Sequence, residues 1–290
     1  MTITSEQKKR ILKLQKEELD GHYTYLKLAK AVKDKHNATV IKNIAQDEMK
    51  HYQIWKRYTE KDTTPNKLRI NFYYWLSKVL GLTFGIKLME RGEEKAQENY
   101  AALIGSIPEA KEILDEEEKH EDELLEMLDE ESLKYAGSVV LGLNDALVEL
   151  TGSLAGLTFA FQDTKIIALA GLITGIAASF SMAASEYLSS KSEEDEKVPL
   201  RSAIYTGFAY ILTVAILIFP YLVISNFIVA LLWTIANAIL VIAIFNFYIS
   251  VAKDFDFKKR FLEMSTISLG VALFSFVIGD VIRRVFGINV

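Results

Sequence analysis

Residues 202–252 read SAIYTGFAYILTVAILIFPYLVISNFIVALLWTIANAILVIAIFNFYISVA, 51 positions without a Lys, Arg, Asp or Glu. Coiled as one α-helix this run would be about 77 Å long, against roughly 30 Å of bilayer hydrocarbon, so it has to cross twice. The natural fold point is Pro220 to Asn226, which predicts spans near 202–220 and 227–251. Upstream, Ile166 to Ser185 is uncharged, and Gly137 to Phe161 is apolar apart from Asp145 and Glu149. Downstream, Met264 to Gly279 is uncharged as well. Five spans are expected.

Composition divides the chain at the same place. Residues 1–136 hold 23 Lys/Arg and 26 Asp/Glu, whereas residues 137–290 hold 10 and 12. The expected domains are therefore a polar one over 1–134 and a membrane one over 135–290. The 290 residues include no cysteine and carry a net charge of −5. That excludes disulfides, thiolate zinc sites, iron–sulfur clusters and a Cys nucleophile, and leaves Glu, Asp, His and Met as metal ligands. No basic block is present, so nucleic acid is not expected as a partner.

The first thirty residues alternate charged and apolar side chains without the continuous apolar core of a secretory signal, so the polar half is expected in the cytoplasm. With five spans, loops 190–201 (Lys191, Lys197, Arg201) and 253–263 (Lys253, Lys258, Lys259, Arg260) then face the same side. Their seven basic residues agree with the positive-inside bias; Lys165, Arg283 and Arg284 oppose it.

Apolar residues in the polar half recur at helical spacing, as in Ile11, Leu12, Leu19 and Leu26, in Val40, Ile44 and Ile54, and in Leu114, Leu124 and Leu128. With breaks at His36-Asn37, Pro65 and Pro108 they predict helices near 5–34, 38–60, 67–104 and 109–134, an all-α four-helix bundle. The apolar stretch Ile70 to Met89 contains Lys78 and Lys87, and a span there would put Glu93 and Glu117 across the membrane from Glu18 and Glu48. It reads as a helix extension resting on the membrane surface or a partner subunit, with Phe72, Tyr73, Tyr74 and Trp75 suited to an interface, or equally as bundle core.

Two of the four histidines follow a glutamate by three positions, in Glu48-Met49-Lys50-His51 and Glu117-Glu118-Lys119-His120. That spacing puts both side chains on one helix face. A di-metal carboxylate site in a bundle takes such a pair from each of two helices and a Glu from each of the other two. Glu18 and Glu93 fill those places, each with a tyrosine seven residues on (Tyr25, Tyr100). Glu17 competes with Glu18, and Glu90 or Glu94 offers an extra carboxylate. One Glu-x-x-His in an acidic helix is unremarkable; two on alternate helices form a pattern.

With these motifs, residues 5–134 resemble the rubrerythrin branch of the ferritin-like di-iron proteins. The resemblance implies that Glu18, Glu48, His51, Glu93, Glu117 and His120 ligate a carboxylate-bridged iron pair that reacts with O2 or peroxide. Rubrerythrin peroxidases usually carry a Cys-ligated centre for electron delivery, which a Cys-free chain lacks, so peroxidase turnover would need an outside reductant.

In the membrane half, ionisable residues within spans point to transport. Asp145 and Glu149 lie one turn apart in the first span, as do Met182 and Glu186 in the second. A thioether beside carboxylates suits Fe(II) or Mn(II) better than Mg(II) or Ca(II), and carboxylates can exchange a proton for a metal. Core packing for Met182 and a span end for Glu186 are the plainer readings. The segments Gly142-Leu143-Asn144-Asp145-Ala146-Leu147-Val148-Glu149 and Ser181-Met182-Ala183-Ala184-Ser185-Glu186-Tyr187-Leu188 resemble the first two spans of the vacuolar iron transporter family. That resemblance implies a homodimer that exports Fe(II) from the cytosol in exchange for protons. Gly152/Gly156 and Gly171/Gly175 would allow close helix contact. Eukaryotic members carry a Glu-rich metal-binding insert between spans two and three, where this chain has only Ser192 to Lys197.

The two halves together resemble the membrane-bound ferritin family. The implied function is iron export, in the plasma membrane if the source is prokaryotic, with the bundle collecting, sensing or oxidising iron. The alternative is a membrane-anchored ferroxidase or peroxidase whose spans serve as anchor. Enzyme activity stays open in this reading.

Overall fold

The computed structural model describes residues 4–89, 91, 103–105, 107–126, 135–192 and 198–286, all of its regular structure helical. The chain divides into two compact units, Met1–Glu130 and Glu131–Val290.

In the first unit the first three helices start where a side chain can accept the free N–H groups of the first turn. Thr4 and Gln7 form a capping box for α1 (Ser5–Ala29), and Asp34 caps α2 (Lys35–Thr59). Asn66, just after Pro65, accepts from Leu68 and Arg69 to open α3 (Lys67–Leu80). The helix predicted over 67–104 is broken at Gly81, whose φ of 102° is open to glycine and strained for other residues. Helix α4 follows over 82–89. A Cβ on Gly85 would lie 2.9 Å from the Ser77 Cα, so glycine at 85 lets α4 pack back against α3. The last described helix of this unit is α5 (Glu109–Glu126).

The break has a consequence for the core. Tyr25 and Leu28 of α1, Ile41, Ile44 and Ala45 of α2, Ile86 and Met89 of α4 and Leu124 of α5 form one buried cluster, so α4 takes the third place in the bundle. A second cluster joins Ile11, Leu14, Trp55, Leu103, Ile107, Ala110 and Ile113. Helix α3 packs along α1, with Asp20 accepting from the Asn66 N–H at 2.6 Å and lying 3.8 Å from Arg69.

The second unit has five membrane-length helices: α6 (Ala136–Phe161), α7 (Thr164–Ser192), α8 (Pro199–Val223), α9 (Phe227–Lys253) and α10 (Phe257–Phe286). Each contains one of the expected apolar runs and extends it at one or both ends. Helix α6 is the hub, packing on the other four. Small residues make its closest contacts: a Cβ on Gly142 would lie 2.3 Å from the Thr206 carbonyl oxygen, and one on Gly279 2.3 Å from that of Gly156. Gly171 of α7 seats against the Leu154 side chain of α6, and Gly175 against the side chains of Val214 of α8 and Leu150 of α6.

Pro220 does not end α8, which runs on to Val223. Proline has no N–H for the carbonyl four residues earlier, and a lipid interior offers no water to replace it. Asn237 of α9 supplies the missing donor, its Nδ2 lying 3.1 Å from the Ile216 oxygen, and Thr234 Oγ1 donates to the Leu217 oxygen at 2.9 Å. Asn237→Leu is therefore expected to lower the stability of the detergent-solubilised protein by about 1 kcal/mol. Pro220→Ala should remove that penalty by restoring the helical N–H. Additive effects in the double variant would show that Asn237 does not serve the proline.

Candidate metal centre and transmembrane carboxylates

Glu18 of α1, Glu48 and His51 of α2 and Glu117 of α5 each offer a ligand atom, and the four atoms lie within 4.8 Å of one another. Three helices thus bring together residues up to 99 positions apart. Room for the Glu48 carboxylate comes from Gly21, where a Cβ would stand 3.3 Å from Glu48 Oε2. Trp55 Nε1 donates to Glu18 Oε1 at 3.0 Å and so orients that carboxylate.

His51 is wholly buried, and its two nitrogens face different partners. Nε2 lies 2.6 Å from Glu116 Oε2; an ionised carboxylate only accepts, so Nε2 carries a proton. Nδ1 then faces Glu117 Oε1 at 2.9 Å and Glu18 Oε2 at 3.7 Å. Neither His51 Nδ1 nor Glu117 Oε1 is aligned for a hydrogen bond, and His120 Nδ1 is also buried without one. A lone pair aimed at two carboxylates is repulsive unless a cation lies between them. Burial opposes charge on His51, yet Glu117 and Glu18 outweigh it and lift its pKa to about 11, so without metal a proton fills that role. A metal ion could take its place. The residues fit a cation of the divalent, oxygen- and nitrogen-ligated kind.

His120 lies beside this group and outside it. Its Nδ1 is 3.7 Å from Glu117 Oε2, its ring centroid is 6.0 Å from that of His51, and its Nε2 is 3.3 Å from Asp47 Oδ2. Its pKa is raised because, against the cost of burial, Glu117 and Asp47 favour the charged ring. Of the competing pair, Glu18 joins the converging group, whereas Glu17 lies 3.6 Å from Lys13. Glu90, Glu93, Glu94 and Tyr100 lie outside the described residues.

Asp47 and Glu116 are additions made by the structure. Each precedes the Glu of one motif, and each reaches the His of the other: Glu116 to His51, Asp47 to His120. The signal was in the sequence, since both motifs read acidic-Glu-x-x-His, in Asp47-Glu48-Met49-Lys50-His51 and Glu116-Glu117-Glu118-Lys119-His120. Adjacent helical positions diverge by about 100°, however, and a single helix gives no reason for the first acid to face inward.

In the spans, Tyr210 of α8 donates to Glu149 Oε2 at 2.7 Å, and Ser138 of α6 donates to Glu186 Oε1 at 2.6 Å. Glu186 with Ser138, Gly175 with Leu150 and Gly171 with Leu154 define an antiparallel α6–α7 register. That register sets Met182 level with Leu143, two residues or about 3 Å of rise from Asp145. Asp145 and Met182 therefore share a depth. Asp145 is half-buried, nine residues or about 14 Å along the helix from Ala136. Among the described residues, no three His, Asp or Glu ligand atoms converge within the spans.

Five long apolar helices make this an integral membrane protein, and its polar unit carries a candidate metal-binding group. Residues 136–198, which contain α6, α7 and all four span residues Asp145, Glu149, Met182 and Glu186, match the model of the VIT family. No curated protein matches the chain.

Metal titration of the full-length protein is expected to release protons, with apparent affinity rising with pH across the neutral range as metal displaces the proton on His51. The sign for the metal-free bundle is opposite. A raised His pKa contributes stability that is complete below 6.5 and is lost as pH climbs towards about 11. Asp47→Asn and Glu116→Gln should each weaken metal binding about tenfold or more. Binding that is independent of pH would place His51 outside the site.

Proposed function

We propose that this protein moves Fe(II), and Mn(II) as a related cargo, out of the cytosol in exchange for protons, and that its bundle is a di-iron carboxylate centre that collects, senses or oxidises the same metal. The observation that carries the reading is the coincidence, within the stretch similar to the VIT family, of a span carboxylate and a span thioether at one depth. Asp145 would hold the cation by charge and release a proton to do so. Met182 would supply a soft ligand, and Glu149 and Glu186 would lead the ion towards and away from that level.

One carboxylate and one thioether at a single level of one chain do not close a cage, which suits an ion that must leave again. It also suits a homodimer in which a second copy completes the path. The bundle would be cytoplasmic, with loops 190–201 and 253–263 on its side of the membrane. In the bundle Glu18, Glu48, His51 and Glu117 would hold metal, with His120 and a carboxylate from among Glu90, Glu93 and Glu94 completing a pair. A bound iron pair supplies Lewis-acid and redox chemistry towards O2 or peroxide. The protein's part is to orient the ligands through Trp55, Glu116 and Asp47 and to keep the proton off His51 Nδ1 when metal is present.

The buried Glu/His group also favours a second reading, a membrane-anchored ferroxidase or peroxidase. Fe(II) flux into proteoliposomes with luminal pH recorded separates the two. Asp145→Asn is expected to abolish flux, since Asn keeps the size of Asp without its charge or its proton, and Met182→Leu to slow it or lose selectivity. Both variants should keep the metal held by the bundle. Parental flux and pH response in Asp145→Asn would make the spans an anchor. For topology, single cysteines placed in this Cys-free chain at 1, 195 and 256 should label from the cytoplasmic side and one at 290 from the other. Labelling of 290 from the cytoplasmic side would require an even number of spans.

A further inference from the structure

Helix α3 wears its apolar residues on the outside. Leu68 is 83% exposed, Phe72 57%, Trp75 56% and Val79 75%. Their spacing of four, three and four places them in one stripe along the helix. The opposite side is already satisfied: Ile70 and Ser77 are buried, and Tyr73 and Tyr74 pack on the bundle core. The stripe is thus surplus to folding, and four large apolar side chains in a row on a water-facing surface call for a partner.

Charge says which partner. Helix α3 carries Lys67, Arg69 and Lys78 and no acidic residue, in a half of the chain where acids outnumber bases. Lys78 Nζ stands 5.0 Å over the Trp75 ring, a cation beside an aromatic at the edge of the stripe. Next to the stripe, α1, Pro65 and α3 line an open cavity of about 570 Å³, with Leu26 and Ile70 among its apolar residues and Lys27, Lys30 and Lys67 beside them. Lys27 leans on Asn71 and on the Tyr74 ring, while among the described residues Lys30 and Lys67 have no ion-pair partner. Three ammonium groups around a cavity beside an aromatic and aliphatic ridge match a surface that is anionic outside and apolar beneath.

We propose that α3 is an interfacial helix lying in the headgroup layer of the bilayer that the chain itself spans. Its Leu68/Phe72/Trp75/Val79 stripe enters the acyl boundary, and the Lys27/Lys30/Lys67 cavity receives the phosphate of an anionic lipid. The five spans keep a bilayer permanently at hand, so modest intrinsic affinity suffices. This inference rests on the chain being membrane-embedded and is independent of the metal reading.

The test uses the full-length protein in nanodiscs of phosphatidylcholine, with or without phosphatidylglycerol. Leu68→Cys, Val79→Cys and, as a control on α2, Lys35→Cys each carry a nitroxide. The measured quantity is the ratio of collisions with O2 to collisions with a water-soluble nickel chelate. Each basic residue near an anionic surface is worth about fivefold in partition. In phosphatidylglycerol discs the ratio at 68 and 79 is expected to exceed that at 35 by about fivefold or more, and to fall towards it in phosphatidylcholine alone. Combined Lys27→Glu, Lys30→Glu and Lys67→Glu should produce the same fall, and inorganic phosphate in the buffer should produce none. Ratios at 68 and 79 equal to that at 35 in both lipids would leave the stripe in water and overturn the proposal. Protection that ignores lipid composition and comes with spin–spin broadening between copies would overturn it in favour of a protein interface. The lipid comparison needs no charge variant, so misfolding of the triple substitution leaves the test intact.

Discussion

Three carboxylates around one buried imidazole cannot be left without a cation. Glu18, Glu48 and Glu117 bring negative charge into a low-dielectric interior, and His51 Nδ1 is aimed at two of them. Burying like charges side by side is so costly that the site has to hold either a proton or a metal. Much of the first unit serves this grouping. Gly21 makes space for Glu48, Trp55 holds Glu18, and the acids that lead the two Glu-x-x-His motifs cross over to the far nitrogens of the histidines. A site that binds a proton firmly when empty couples metal uptake to proton release, so the same geometry that invites a cation makes its binding respond to pH.

The membrane unit meets the same physics in another form, because hydrocarbon cannot solvate a bare polar group. Pro220 leaves a carbonyl without its donor, and Asn237 supplies one from the neighbouring helix. Tyr210 engages Glu149, and Ser138 engages Glu186. Glycines bring α6 into backbone contact with α8 and α10, making a rigid hub from which Asp145 projects. A carboxylate at this depth is costly to keep, and the α6–α7 register sets Met182 beside its level.

Much of this is legible in the sequence. The uncharged runs gave the number of membrane helices, because a bilayer's thickness translates directly into residue count. The Glu-x-x-His repeats located Glu48, His51, Glu117 and His120 on helix faces, because spacing alone sets azimuth. Less was legible where two elements meet. The apolar stretch from Ile70 onward read equally as interface or core; α4 fills the core, whereas α3 leaves a stripe exposed. The division falls at Gly81, a single backbone dihedral that periodicity cannot reveal.

What the sequence determined by itself was one-dimensional: helix identity, which stretches can live in lipid, and which residues share a face. These follow from local spacing and transfer energetics, which need no partner to be defined. The tertiary structure decided which residues oppose one another. It chose Glu18 over Glu17 for the converging group, brought Glu116 and Asp47 to the histidines, placed Met182 at the depth of Asp145 and turned α3 outward. Each of these is a relation between elements far apart along the chain, set by the packing of glycines and large side chains against neighbours that no local pattern specifies.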